Sequence, residues 1–174
     1  MSDRVQVTSH SVERLTVRLG IDYAQAVERF EQLVPAAPLE RFRTPGSWQE
    51  VESLLEATPF GFMRYGTIDS SALLAPSGIT RRSVEYLVGN HALAETMFRR
   101  QPGIILYAPL RVTFHADDDG QAIFAIDRPS DLFGSFEDAE LARTGRLIDA
   151  KIARILGGLG VPAPSSLVHR DAAA

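Results

Sequence analysis

The sequence contains no cysteine and one lysine, Lys151. Without thiols there are no disulfide staples, thiolate metal sites or cysteine nucleophiles, and amine chemistry has a single candidate. Long apolar runs are missing too. No stretch approaches the roughly 20 residues that span a bilayer, so no membrane partner is expected. Met1-Ser2-Asp3-Arg4 leads into an alternating segment without a signal-peptide apolar core, which gives the expectation of a cytoplasmic protein. Positive charge is not in surplus either. The 174 residues carry 22 acidic and 18 basic side chains, a net charge of −4. Gripping nucleic acid phosphates needs a basic face, so no nucleic acid partner is expected. The sequence has no P-loop, no dinucleotide fingerprint and no Gly-x-Ser-x-Gly elbow.

What is present suits one ordinary domain, expected over residues 1–162, with a flexible tail rich in proline, serine and alanine over 163–174. The alternation from Val12 to Leu19 predicts a half-buried strand, with a short strand at Val5 and Val7 before it. Asp22 is placed to cap a helix whose stripe runs through Tyr23, Ala26, Val27, Phe30, Leu33 and Val34. Ser47-Trp48-Gln49-Glu50 reads as a capping box opening a second helix. A strand is predicted over Phe60–Ile68, a helical turn from Ser70 or Ser71 to Leu74, and a strand over Ser83–Val88. Asn90 is a helix cap for the segment bearing Leu93, Met97 and Phe98. A long C-terminal helix is predicted from about Asp138 to Leu156, ending at Gly157-Gly158. The fold class is therefore α+β: a largely antiparallel sheet backed by helices.

A long strand is predicted from Ile104 towards His115, because Ile104, Leu106, Ala108, Leu110, Val112 and Phe114 share one parity. Pro109 cannot donate to a ladder, so a bulge or an edge is expected there. The turn at Asp118-Asp119-Gly120 fixes the return. A two-residue turn would mix the faces. A three-residue loop with Gly120 left-handed instead sets Phe114 opposite Phe124 and Val112 opposite Ile126. That register also predicts an Arg111–Asp127 ion pair on the other face.

Several of these segments carry a resemblance. Tyr86-Leu87-Val88-Gly89-Asn90, then Met97, then the run from Pro102-Gly103 through Tyr107-Ala108-Pro109-Leu110-Arg111-Val112, and Asp118-Asp119-Gly120 together resemble domain-of-unknown-function family 302. Gly66-Thr67-Ile68-Asp69 looks like that family's Ile-Asp strand end. The resemblance implies an α+β fold, often assembled as a dimer, and implies no reaction. Two positions depart from the pattern: Ser70 stands where the family often has histidine, and His91 where it often has proline. Residues 39–58 read as a helical insertion relative to shorter members.

Candidate chemistry is sparse. Asp117, Asp118 and Asp119 lack the alternate spacing of a calcium loop, and His10, His91, His115 and His169 form no close ligand pair; no metal and no cofactor are expected. His91 falls at a helix N-terminus, where the dipole disfavours its charged form. The polar groups expected to converge near the sheet are Tyr65, Asp69, Tyr86, Asn90, Tyr107 and Arg111. The first expectation is non-catalytic binding of a small ligand, partly apolar or anionic, between sheet and helices, with Arg111 meeting any anionic group. The alternatives are an enzyme using Asp69 or Asp127 as acid or base, which requires one of them buried without a matched cation, and a dimeric interaction module. A homodimer is expected, because a half-apolar second sheet face needs cover.

Overall fold

In the computed structural model, which describes residues 5–43, 46 and 48–168, alternating apolar positions assemble a five-stranded sheet. The strands are β1 (Arg14–Asp22), β2 (Met63–Asp69), β3 (Ser83–Gly89), β4 (Leu110–Ala116) and β5 (Gln121–Asp127). Their order is β1-β5-β4-β3-β2, and every neighbouring pair is antiparallel. Around them lie helices α1 (Tyr23–Leu33), α2 (Leu39–Arg43), α3 (Trp48–Glu56), α4 (Ser70–Leu74), α5 (His91–Arg100), α6 (Pro129–Gly134) and the long C-terminal α7 (Ala139–Gly158). The fold is α+β. No described helix is long and apolar enough to cross a membrane.

Period-two patterning sends Val84, Tyr86, Val88, Leu110, Val112, Phe114, Ala122, Phe124 and Ile126 to one buried face. Phe30 of α1 and Ile148, Ile152, Ile155 and Leu156 of α7 complete the same core. At its centre the Phe114 ring meets Phe30 at 4.9 Å and Phe124 at 5.4 Å between centroids. The opposite face keeps Thr16, Arg18 and Arg111 exposed.

The central hairpin has the expected register. Phe114 pairs with Phe124 and Val112 with Ile126; Gly120 adopts φ 79°, left-handed, at the end of a three-residue loop. Asp117 closes that loop by accepting hydrogen bonds from Asp119 N and Gln121 N. Helix caps follow the sequence as well: Asp22 accepts from Ala24 N, Asn90 from Leu93 N and Asp138 from Glu140 N. Ser47, expected to open α3, lies outside the described residues, as does His169.

Four expectations are corrected. The long strand begins at Leu110, not Ile104. Pro102 starts a 3-10 turn through Leu106, with the Gln101 side chain accepting from Gly103 N, and the Ala108–Pro109 peptide bond is cis. The shared parity dissolves there, because Ile104 is fully buried while Ile105 and Leu106 are 56% and 75% exposed. The Arg111–Asp127 pair does not form either. Asp127 lies directly opposite Arg14 on β1 and pairs with it at 2.6 Å, while Arg111 reaches Glu85 on β3 at 2.7 Å. Each charge finds a third strand that the hairpin alone cannot reveal. The strand expected from Phe60 starts at Met63, because Gly61, at φ 68°, turns the chain first. Val5 and Val7 are exposed and form no strand.

The elbow between α6 and α7 positions Phe133, a wall of the site described below. Asp149 of α7 is fully buried and accepts a hydrogen bond from Ser130 N at 3.0 Å, satisfying a free amide at the start of α6. Gly145 lies beside it, and a Cβ there would fall 2.8 Å from Ser130 Cα. Only glycine permits that approach.

Asp138 gives a pH signature. Its carboxylate bonds to Arg100 at 2.8 Å and to the amides of Glu140 and Leu141. The Arg100 hydrogen bond, then those amides, hold its carboxyl below the usual aspartate range. A carboxylate with a depressed folded pKa adds stability above its unfolded value, near pH 4, and loses it as pH falls through the folded one. The thermal midpoint should therefore drop as pH goes below about 4. Asp138→Asn, which still caps the helix, should flatten that drop; calorimetry across pH checks it.

Candidate functional site

At the α5 end of the sheet the helices and strands leave a cavity of about 330 Å³, at the lower end of small-molecule sites. One wall is the inner face of α5, where Leu93, Ala94, Met97 and Phe98 follow Asn90 at helical spacing. Ala108, Pro109 and Leu110 form a second wall, with Phe133 of α6 and Ile148 of α7 beneath them. Trp48 of α3 and Ile105 stand at the rim, both well exposed. The lining is overwhelmingly apolar.

Asn90 builds one end. Its Oδ1 accepts from Leu93 N at 2.8 Å, and its Nδ2 donates to Gly61 O at 2.6 Å. It thus caps α5 and ties that helix to the segment before β2. Tyr65 falls at an irregularity in the β2–β3 ladder, between Arg64 and Gly66. Gly89, opposite Met63 in the same ladder, has no side chain, and a Cβ there would press within 3.3 Å of the Tyr65 ring and 3.6 Å of Pro109. The bare backbone lets both rings close on the site.

The Tyr65 hydroxyl lies 3.2 Å from Nδ1 of His91. The His91 ring is also flanked by Phe42, Tyr65 and Trp48, at 5.0, 5.6 and 6.1 Å between centroids. Burial lowers the imidazole pKa, disfavouring the cation. Burial also pushes the Tyr65 phenol up to about 12, against a small opposing effect of the His91 backbone N–H. Both groups are therefore neutral at pH 7. Glu95, the one charged residue among the described lining residues, is salt-bridged to Arg99.

Of the six residues expected to converge, Tyr65 and Asn90 line this cavity and four lie elsewhere. Tyr86 is in the core, donating to the Glu31 carboxylate at 2.8 Å, with Arg64 on the same oxygen. Asp69 is exposed and caps α4 by accepting from Ala72 N. Tyr107 packs edge-on against Phe133 and Phe136, its hydroxyl 3.4 Å from His10 Nε2. Arg111 is on the outer sheet face with Glu85. With Asp69 exposed and Asp127 paired to Arg14, neither carboxylate is buried without a matched cation. Among the described residues no three His, Asp or Glu side chains gather as a metal site would require.

His91, Trp48 and the α5 stripe are the site residues that the sequence reasoning did not assign. A signal existed: an N-cap asparagine followed by apolar residues at i+3, i+4, i+7 and i+8 defines one helix face. What the sequence could not supply was the identity of the surface opposite.

Comparison with known proteins agrees on the fold. No curated protein matches the sequence. A solved structure, the crystal structure of an uncharacterized conserved DUF302 protein from Bacillus stearothermophilus, superposes with a TM-score of 0.61 at 16% identity, covering 84% of this chain and 97% of the other. A family model described as "Domain of unknown function DUF302" matches residues 40–159, well over half of the sequence. On that match, with the strand and turn motifs in place, the chain belongs to the DUF302 family.

Proposed function

We propose that this protein binds a small, mainly apolar ligand in the cavity between α5, the β2–β3 strand ends and the Pro109 loop, without transforming it chemically. The observation that carries this reading is the mainly apolar lining, in which Asn90 and Glu95 are engaged within the fold and Tyr65 and His91 form a neutral hydrogen-bonded pair. A pocket of this kind gains most of its affinity from apolar burial and its orientation from a few polar groups. Arg111, on the far face of the sheet, does not reach the site, so the reading favours an uncharged ligand. The half-apolar outer face, with Leu87, Thr113 and Ala125 partly buried, supports the expected homodimer, which light scattering against the 19.1 kDa monomer mass tests.

Trp48 is the sole tryptophan and stands at the cavity rim, so its emission reports on this site alone. Titration with ethylbenzene or octanol should change Trp48 emission saturably. It should also raise the thermal midpoint, as any ligand that binds only the folded state must. If neither probe moves emission or midpoint up to its solubility limit, the binding reading is wrong.

A further inference from the structure

The polar atoms around the cavity are almost all committed. Asn90 uses both its oxygen and its nitrogen within the fold. Trp48 Nε1 donates to Glu52, and Glu95 is held by Arg99. His91 differs. Its Nδ1 faces the Tyr65 hydroxyl, while its Nε2 has no hydrogen-bond partner among the described residues. Nor is Nε2 sealed in the packing, since no buried side-chain nitrogen or oxygen of the described residues lacks a partner.

The hydrogen bond between Tyr65 and His91 can run in either direction, depending on the imidazole tautomer. A tyrosine hydroxyl has one proton to give and two lone pairs. Where the Tyr65 hydroxyl donates, its acceptor is His91 Nδ1, 3.2 Å away. With Nδ1 accepting, the neutral imidazole carries its proton on Nε2. The ring is held in place by Phe42, Trp48 and Tyr65.

Resting on the cavity reading above, we propose that the site selects neutral apolar molecules bearing a carbonyl oxygen, which accepts a hydrogen bond from Nε2–H of His91. An aryl or alkyl ketone fits: its hydrocarbon part meets Leu93, Met97, Phe98 and Pro109, and its oxygen meets the imidazole. A carboxylate does not fit, because no cationic side chain among the described residues lines the cavity and burial keeps His91 neutral. An alkane fits the walls but leaves Nε2–H without a partner.

The test compares acetophenone, ethylbenzene and benzoate, which share size and differ in the group presented, by calorimetric titration of the whole chain. Acetophenone is expected to bind about fivefold more tightly than ethylbenzene, the scale of one net hydrogen bond, with benzoate weaker than both. His91→Phe should retain ethylbenzene binding and abolish the preference for the ketone. Imidazole ¹⁵N shifts of the unmodified protein, assigned by difference against His91→Phe, should show the proton on Nε2 and need no folded variant beyond that assignment. Equal binding of acetophenone and ethylbenzene, benzoate binding most tightly, or a proton on Nδ1 would each overturn the carbonyl proposal while leaving the cavity reading intact. Binding of none of the three would overturn both.

Discussion

Replacing Ala94 with tryptophan is expected to weaken binding of a small apolar ligand by at least about tenfold while leaving the fold in place. Ala94 lies on the α5 face that forms one wall of the cavity and is only partly buried. An indole there occupies volume that the ligand would otherwise fill. Misfit of even a methylene in an apolar pocket changes binding by about 1–3 kcal/mol, so an entire ring system exceeds the tenfold threshold of 1.4 kcal/mol. The helix tolerates the change because Ala94 is interior to α5 and not at its cap. Its partly open surroundings avoid the overpacking cost of about 1–3 kcal/mol that a tight core would impose. Titration of the variant with ethylbenzene, read alongside its melting temperature, separates the two effects. Unchanged affinity in a folded variant would place the ligand elsewhere.

Phe114→Ala is the substitution expected to cost the most stability, about 3–5 kcal/mol. Phe114 is fully buried on the core face of β4, the middle strand of the sheet. Its ring touches Phe30 of α1 and Phe124 of β5, with Tyr86 of β3 edge-on at 6.1 Å. Truncation removes the burial of a large ring and opens a cavity shared by one helix and three strands, which cannot collapse together. Against a typical total of about 5–15 kcal/mol, a loss of that size leaves a marginal fold. Leu147→Ala on the exposed side of α7 provides the control, expected within about 0.5 kcal/mol. Urea unfolding of both variants checks the contrast; similar midpoints would contradict this description of the core.

The fold was legible where one local rule determined the outcome. Asp118-Asp119-Gly120 demanded a left-handed glycine, and only a three-residue loop kept Phe114 and Phe124 on one face, as observed. Asp22, Asn90 and Asp138 were readable as caps from residue type and position alone. The run from Ile104 was misleading because alternation reports burial, not backbone. Ile104 enters the core from a 3-10 turn, and Pro109, which has no N–H to give, precedes the strand and is not within it. Arg111 and Asp127 were matched within their hairpin, yet each has another neighbouring strand with a better-placed opposite charge. Such non-local choices have no trace in sequence spacing.

The candidate site was legible in half-measure for the same reason. Tyr65 and Asn90 border the cavity, but the cavity itself is the gap left between α5, the Pro109 loop, α6 and α7. The sheet-centred expectation favoured polar residues on strands. The structure instead spends Tyr86 in an ion-pair network with Glu31 and Arg64, and Asp69 on a helix cap. His91 drew attention for the helix dipole, as a departure from the family pattern and as one of four scattered histidines, not as a partner of Tyr65, from which 26 positions of sequence separate it.

The central claim is that the cavity beside α5 is where this protein takes its ligand. A ¹H–¹⁵N spectrum recorded through an acetophenone titration tests it most directly. The account predicts saturable shifts at the Trp48 indole N–H and at the amides of Gly89, His91, Ala94 and Ile105, all bordering the cavity. Shifts clustered instead around Glu85, Leu87 and Arg111 on the outer face of the sheet, or no saturable shift at all, would contradict it.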